Sequence, residues 1–436
     1  MNQASSPVFR DSQLFATSMA TYPSQAIGPT DSLNAPQATP RAKKIAVALL
    51  TGGFDRPYAY GLSMSLAAQG VILDVIGSNE VDSPEMHNTP NLYFRNFYGT
   101  KQEASFIDKA WRVLRYYARV LRYAATSSPR IFHILWNGKF QYFDRTLLML
   151  YYGLCGKKIV LTAHNVNAGK RDGNDSPANR ITLRIQYRLA QHIFVHTKSM
   201  QEELSSDFGV PARKITVIPF GINNSVPDTR LTPAEAKRRV GVREDEKTVL
   251  FFGGIRPYKG LDFLVAAFLQ MAPGHPEYRL LIAGSVKKGY EDHWNQIQMK
   301  IASHPCGNQV TQKIEYIPDE ETEVYFKAAD VLALPYTHIF QSGVLFLAYS
   351  FGLPVVATDV GAIREDVIPG STGFLCPPSD PEGLAMALET YFSSDLFEHL
   401  RERRQGIRDY ANARHSWSVV GDMTSRLYAE LLGSSL

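Results

Sequence analysis

Strand-length apolar runs that close on glycine or proline, each followed by a segment with helical spacing, recur along this chain and restrict it to layered α/β architectures. Lys43-Lys44-Ile45-Ala46-Val47-Ala48-Leu49-Leu50 runs into Thr51-Gly52-Gly53 and reads as a buried strand entering a glycine turn. Leu62, Leu66 and Ala67 then recur at helical spacing, Gly70 stops the helix, and Val71 to Ile76 form the next strand, which completes a βαβ unit. The series continues at Ile131 to Leu135, Lys158 to Thr162, Ile193 to His196 and Lys214 to Ile218. It breaks over residues 224–247, where Asn224-Ser225-Val226-Pro227 and a charged stretch predict a linker and a surface helix. It resumes at Thr248 to Phe252 into Gly253-Gly254, Leu280 to Ala283 into Gly284, Ile314 to Ile317, Val331 to Leu334 into Pro335, and Val355 to Ala357. Alternation of this kind implies parallel sheets covered on both faces. Two series imply two doubly wound domains, expected at residues 43–224 and 225–412, with ligands held in a cleft outside the carboxyl ends of the strands. Residues 413–436, opening at Ser416-Trp417-Ser418-Val419-Val420, read as a capped amphipathic helix.

Residues 1–42 are rich in Ser, Thr, Ala, Pro and Gln and lack the apolar density to order themselves, so a disordered tail is expected there. Leu14 to Tyr22 is broken by Thr and Ser, unlike the apolar core of a secretory signal. The longest aliphatic-aromatic run, Leu147 to Cys155, is far short of the roughly 20 residues that span a bilayer. Cys155, Cys306 and Cys376 are too few and too scattered for a disulfide framework or a four-ligand zinc site, which fits a reducing cytoplasm. A net charge of +4 gives no overall pull toward nucleic acid, and no nucleic-acid partner is expected.

Two stretches of the second series carry candidate chemistry. In Phe251-Phe252-Gly253-Gly254-Ile255-Arg256-Pro257-Tyr258-Lys259-Gly260, two cations three residues apart follow a strand whose terminal glycines admit a ligand to the backbone, an arrangement suited to a diphosphate or, equally, to a solvated loop. Downstream, Ala329-Asp330-Val331-Leu332-Ala333-Leu334-Pro335-Tyr336-Thr337-His338-Ile339-Phe340-Gln341-Ser342-Gly343-Val344 ends a strand, crosses a polar loop and starts a helix near Ser342, whose hydroxyl suits an N-cap. Free amides at a helix start favour phosphate. The apolar body of that helix, Val344 to Phe351, reads as core.

Taken in order, Gly253 to Asp262, Ala283-Gly284, Ala329 to Tyr336, Gly352-Leu353-Pro354-Val355-Val356-Ala357-Thr358-Asp359-Val360-Gly361-Ala362 and Gly373-Phe374-Leu375 followed by Asp380-Pro381 resemble the family 4 glycosyltransferases of the GT-B fold, two Rossmann-like domains facing across a cleft. Thr162-Ala163-His164-Asn165-Val166, His196-Thr197-Lys198-Ser199 and Val217-Ile218-Pro219-Phe220-Gly221-Ile222 extend the resemblance into the first domain, so that it covers about residues 43–432. The resemblance implies a nucleotide-activated sugar, a UDP- or GDP-sugar, against the second domain and a saccharide or polyprenyl-linked acceptor against the first. Arg256 and Lys259 would hold the diphosphate, with Gly254 and the amides of Ser342, Gly343 and Val344 beside them. His164 would position the transferred sugar or stabilise its transition state, and Gly52 and Gly53 would let the backbone approach a ligand or simply form a tight turn. No cofactor and no metal are implied, since fixed cations and a helix end neutralise the leaving group, and no convincing Asp-x-Asp motif is present. Most of the family retains anomeric configuration, which needs no paired carboxylates. The final helix would cross back onto the first domain.

This chain departs from the family at one place. The usual two glutamates, eight positions apart, align with Ile339 and Leu347, as in a subgroup whose loop reads Gln-Ser-Gly-Val. Gln341, His338 and Tyr336 are then the candidates for the lost polar contacts, with Glu365 and Asp366 as nearby carboxylates. A catalytically silent sugar-binding or scaffold subunit and a nucleotide-sugar epimerase stay open as alternatives. A nicotinamide dehydrogenase is discounted, because Thr51-Gly52-Gly53-Phe54 lacks the G-x-G-x-x-G spacing.

Residues 101–125 predict an amphipathic helix. Ile107, Ala110, Trp111, Leu114, Tyr117, Ala118 and Leu121 share one face, expected to pack into the domain, while Lys109, Arg112, Arg115, Arg119 and Arg122 gather on another. The arginine stripe suits anionic headgroups or a pyrophosphate-bearing acceptor, and predicts peripheral attachment to the inner face of the cytoplasmic membrane.

Overall fold

A computed structural model of the chain describes residues 45–99, 105–171, 173, 175–222 and 226–433. The expected tail at 1–42, Lys43 and Lys44, and the expected domain boundary at 224/225 lie outside the described residues. The first sheet contains β1 (Ala46–Leu50), β2 (Ile72–Gly77), β3 (Leu92–Asn96), β4 (Ile131–Ile134), β5 (Lys158–Thr162), β6 (His192–Val195) and β7 (Ile215–Val217), in the order β3-β2-β1-β4-β5-β6-β7. The second contains β8 (Lys247–Phe252), β9 (Tyr278–Ala283), β10 (Val310–Lys313), β11 (Val331–Leu334), β12 (Val355–Thr358) and β13 (Gly373–Cys376), in the order β10-β9-β8-β11-β12-β13. Every pairing is parallel, which gives the two doubly wound sheets expected from the alternation.

The period of two along β1 explains why the first sheet is buried on both faces. Val47 and Leu49 join a core with helices Arg56–Ala68 and Trp417–Leu432, whereas Ala48 and Leu50 join a separate core with helices Phe106–Thr126, Met149–Leu154, Pro177–Leu189 and Lys198–Phe208. The second lobe is filled by one continuous core. Strand order reverses between β1 and β4 and between β8 and β11, and at such switch points the loops at the carboxyl ends diverge and leave a crevice.

Two expectations are corrected and one element, unplaced from sequence, is added. The strand placed at Ile314 to Ile317 lies instead at Val310–Lys313, paired with β9 through Val310↔Leu280 and Lys313↔Ala283. It is an edge strand whose exposed Gln312 and Lys313 hide it, while Ile317 reaches the core from a loop. The edge strand β3 was not signalled by the sequence pattern for the same reason, its last two residues being polar and exposed. Helix Phe106–Thr126 is turned from its expected phase. Tyr116, Tyr117, Val120, Tyr123 and Ala124 face the core, and Ile107 (67%), Trp111 (60%) and Leu114 (59%) stand exposed. The tyrosines win the interior because their rings interlock with neighbours, Tyr116 stacked on Tyr98 and Tyr117 on Phe140.

Helix Trp417–Leu432 packs on helix Arg56–Ala68 through side chains that only glycine admits. A Cβ on Gly61 would lie 2.0 Å from the Trp417 ring, and one on Gly421 2.0 Å from Ser65 Oγ. Tyr428 reaches further, to within 2.6 Å of His133 Nδ1 in β4. The chain crosses between lobes at Phe220 to Ile222 and again at His415 to Trp417, and the two crossings are tied by Ile222 N–H donating to His415 O (2.9 Å) and Trp417 Nε1–H donating to Ile222 O (2.8 Å). Among the described residues, no helix is long and apolar enough to cross a membrane.

Candidate active site

A cavity of about 380 Å3 lies between the lobes, at the carboxyl ends of both sheets. The first lobe supplies Asp55 and Tyr58 from the loop after β1 and the helix that follows, Trp136 after β4, and His164 and Asn165 after β5. The second supplies Tyr258 and Lys259 after β8, and Tyr336, Ile339, Gln341, Ser342, Gly343 and Val344 after β11.

On the second lobe the two loops brace each other. Gly260 has φ +66°, and a Cβ there would sit 1.8 Å from Pro335 O, so the 257–260 turn closes against the end of β11 only with glycine. Thr337 N–H donates to Tyr258 O (2.9 Å). Lys259 Nζ lies 3.4 Å from Tyr336 Oη and over the same ring, and Tyr336 Oη is 3.1 Å from Ser342 Oγ. Burial pushes the Tyr336 hydroxyl up to about 12, so it remains a neutral donor beside the ammonium. Ser342 caps helix Gly343–Ser350 by accepting from Leu345 N–H, which leaves the first amides of that helix at the cavity wall. Gly253 brings the backbone close to Lys259, since a Cβ there would be 3.5 Å from Nζ.

On the first lobe, His164 stacks on Trp136 with ring centroids 4.2 Å apart and meets Tyr58 edge-on at 4.5 Å. Burial and the neighbouring His196 and His133 hold it well below the usual histidine range, so it is neutral. Its tautomer follows from its partners. The Ile218 carbonyl, 3.4 Å from His196 Nδ1, can only accept, so that nitrogen carries the proton. His196 Nε2 is then an acceptor, and His164 Nδ1 donates to it across 3.2 Å. His164 Nε2 is left as a bare lone pair, buried and without a partner. Trp136 Nε1 and Gln341 Oε1, also on the cavity wall, are likewise buried without partners. One donor and two acceptors thus wait on the same space, and buried polar atoms in this state point to a ligand or water that completes them.

Of the residues singled out from sequence, His164, Lys259, Tyr336, Gln341, Ser342, Gly343 and Val344 meet on this cavity. Arg256 is half-buried at the start of the 257–259 turn, and Gly254 lies against the Lys287 side chain; neither lines the cavity. Gly52 and Gly53 have φ +66° and +78° and pack against Trp136 and Ser78, where they shape the turn that carries Asp55. His338 is exposed and set apart from the cavity beside Phe340. Ile339 and Leu347 do line it, so an apolar wall stands where the resemblance expects carboxylates. Asp366 is buried against His415 (3.4 Å) and Glu365 is on the surface, so neither substitutes.

Sequence reading missed Asp55, the one carboxylate among the described residues of the wall. Its backbone is left-handed (φ 54°), its Oδ1 accepts from Tyr58 N–H, and burial raises its pKa. The available signal was the N-cap position ahead of Pro57. Trp136 was missed because nothing local distinguishes it from a core aromatic. Among the described residues, no group of three His, Cys, Asp or Glu is arranged to hold a metal ion.

Comparison with known proteins agrees with this geometry. Residues 246–394 match the family described as Glycosyl transferases group 1, and residues 57–226 match Glycosyltransferase Family 4. An uncharacterized glycosyltransferase of Methanocaldococcus jannaschii is 27% identical over 63% of this chain and 70% of its own length. A D-inositol 3-phosphate glycosyltransferase of Corynebacterium efficiens is 27% identical over 62% of this chain and 65% of its own. Among solved structures, sucrose-phosphate synthase from Thermosynechococcus elongatus superposes with a TM-score of 0.70 at 21% identity, covering 89% of this chain and 100% of that one. Anabaena HepE in complex with UDP gives 0.68 at 16%, covering 88% and 100%. With a family match on each lobe and the same two-sheet fold in these neighbours, the chain belongs to the GT-B glycosyltransferases of family 4, group 1.

Proposed function

We propose that the chain moves a hexose from a nucleotide-diphosphate sugar, a UDP- or GDP-sugar, to a saccharide or lipid-linked saccharide acceptor in polysaccharide or glycolipid synthesis. The observation that carries this reading is the convergence of Trp136 Nε1, His164 Nε2 and Gln341 Oε1, all buried and unpartnered, on one cavity beside Lys259 and a helix start. Sugar hydroxyls both donate and accept, so they complement this mixed set as a planar apolar cofactor would not. UDP as the nucleotide is supported by the Anabaena neighbour.

The reaction breaks the bond between the anomeric carbon and the diphosphate oxygen, joins that carbon to an acceptor oxygen, and releases nucleoside diphosphate and a proton. Lys259 and the amides at 342–344 stabilise the charge that grows on the leaving diphosphate, with Arg256 drawn in from the same turn, and no metal is needed for that task. His164, as a neutral acceptor through Nε2, orients a hydroxyl of the transferred sugar and does not act as a cation. With no carboxylate among the described residues of the donor wall, the acceptor hydroxyl attacks on the face the diphosphate leaves, its proton passes to the leaving phosphate, and configuration is retained. The paired crossings around Trp417 act as the hinge for closure.

The protein works at the inner face of the cytoplasmic membrane, attached peripherally through helix Phe106–Thr126. Its exposed Ile107, Trp111 and Leu114 form an apolar ridge beside Arg112, Arg115, Arg119 and Arg122, with Lys109 near its start, the combination an anionic lipid surface accommodates. Sedimentation with phosphatidylglycerol vesicles tests this; unchanged pelleting after all four arginines are replaced by Ser refutes it.

A second reading is favoured by Ile339 and Leu347: a subunit that binds the nucleotide without turnover. Calorimetry with UDP and GDP, followed by donor hydrolysis and transfer to a membrane extract, separates the two. Binding that falls about thirtyfold in Lys259→Ala, together with turnover, supports the transferase; binding without turnover supports the subunit; unchanged affinity in Lys259→Ala sinks the site.

A further inference from the structure

Away from the cleft, the space behind His164 continues toward a buried cation that the steps above leave unused. A cavity of about 190 Å3 shares Trp136, His164 and Asn165 with the cleft, and shares Gln141, Arg145 and Ala168 with an outer cavity of about 700 Å3. The three chambers adjoin across these shared wall residues, a segmented passage through the first lobe. Its outer mouth is flanked by the exposed Lys139, Phe140 and Tyr142.

Arg145 stands at the junction of the two outer chambers and is only 8% exposed. Its Nη1 donates to Asn179 Oδ1 (2.7 Å) and its Nη2 to Gln141 Oε1 (2.9 Å), while Nε has no partner. Both partners are neutral amides. Among the described residues no ion pair to it is formed, and the adjacent Asp144, turned toward Gly138, acts on it only through space. A buried guanidinium that touches no carboxylate is costly to the folded state, and an arriving anion relieves that cost. The fork is also held in place beforehand, since the Asn179 amide donates to Asn167 Oδ1 (2.9 Å) and Asp175 Oδ1 (2.8 Å), which turns its carbonyl oxygen onto Arg145. Between Arg145 and His164 the wall is mixed, with Leu135, Leu161, Val166 and Leu183 beside a polar pair in which Gln186 Nε2 donates to Asn137 Oδ1 (3.1 Å).

We infer that this passage is the acceptor subsite and that Arg145 binds a phosphate ester carried by the acceptor saccharide. The hydroxyl to be glycosylated then points past Asn137 and Gln186 toward His164. Planar guanidinium and phosphate match in geometry as well as charge, so Arg145 selects a phosphorylated acceptor over its neutral counterpart. The assignment rests on the glycosyltransferase reading and adds the chemical class of its second substrate.

The test uses the full chain saturated with UDP, so that the donor side is filled. Glucose 1-phosphate and glucose are titrated as soluble probes, and phosphatidylglycerol vesicles carrying undecaprenyl phosphate or undecaprenol as the lipid-linked pair, so that the anionic surface met by helix Phe106–Thr126 is the same in both. The phosphate probe of at least one pair is expected to bind about tenfold or more tightly than its neutral partner, and Arg145→Gln to abolish that preference with UDP affinity intact. Asn179→Ala, which frees the fork without removing its charge, is expected to weaken the phosphate probe by a smaller factor. Whichever pair responds identifies a soluble or a lipid-linked acceptor. UDP binding with no preference in either pair, or a preference that survives Arg145→Gln, overturns the inference; absence of UDP binding overturns the donor reading as well.

Discussion

The two lobes build their halves of the cleft from different materials. The second uses two loops on neighbouring strands, 253–260 and 335–344, which set Lys259, Ser342 and the first amides of a helix among Tyr258, Tyr336, Ile339 and Gln341, and the loops are locked by glycine contacts and by Thr337 N–H on Tyr258 O. The first uses large side chains gathered from the ends of β1, β4 and β5, namely Asp55, Tyr58, Trp136, His164 and Asn165. A nucleoside diphosphate presents the same groups in every donor, and backbone amides with a fixed cation suffice for it. Acceptors differ, and side chains are replaceable one at a time without disturbing the turns.

The largest expected contrast between the lobes is in acid. His133, His164 and His196 are all buried in the first lobe, His133 held at about 3 and His196 at about 4 by burial, and His164 well below its ordinary value. The folded state therefore binds fewer protons than the unfolded chain below about pH 6.5. Stability is full above that value and falls with pH toward 4, by about 1.4 kcal/mol per unit for each histidine. Asp144, raised to about 6 by burial, works in the opposite sense below pH 6 and offsets about one of the three. Hydrogen exchange at pH 7 and pH 5 is expected to show amides of β1 to β7 losing protection before those of β8 to β13; simultaneous loss would erase the contrast.

Next in size is a packing test. Gly61→Leu drives a side chain into the Trp417 indole and should destabilise the first lobe by about 3 kcal/mol in thermal denaturation. A shift within error would mean that the final helix is not integral to that lobe. His164→Gln comes third: turnover is expected to fall about a hundredfold while UDP affinity, owed to the other lobe, stays within about twofold. A matched loss in both would dissolve the division of labour. The smallest effect is assigned to Asp55→Asn. Retention with the leaving phosphate as base predicts a loss of less than about tenfold in kcat, whereas an inverting course with Asp55 as base predicts 10²-fold or more; the anomer of the product decides independently.

The same contrast explains what could be read in advance. The second lobe announces itself because its site is contiguous: Ser342 is legible as an N-cap, and Lys259 stands a few residues after a strand end. The first lobe's wall is scattered over more than a hundred residues, and Trp136, Asp55 and Arg145 acquire meaning only when β4, the β1 turn and residues 141–145 meet. Edge strands β3 and β10 escaped because one-sided burial leaves them polar. Helix Phe106–Thr126 misled because its tyrosines, which look amphipathic, are core, and its Trp111 and Leu114, which look like core, are surface.

Trp417 is clasped by glycine on both sides, Gly61 on the first-lobe helix and Gly221 on the crossing, and its ring also edges the cavity. An indole placed at a pivot is an optical gauge. Its emission responds to the water and the carbonyl around it, so the closure proposed above is expected to show, on addition of UDP to the unlabelled protein, in the colour and intensity of tryptophan fluorescence. Trp417→Phe serves as the control that assigns the signal, and the same experiment yields closing rates that no binding measurement supplies.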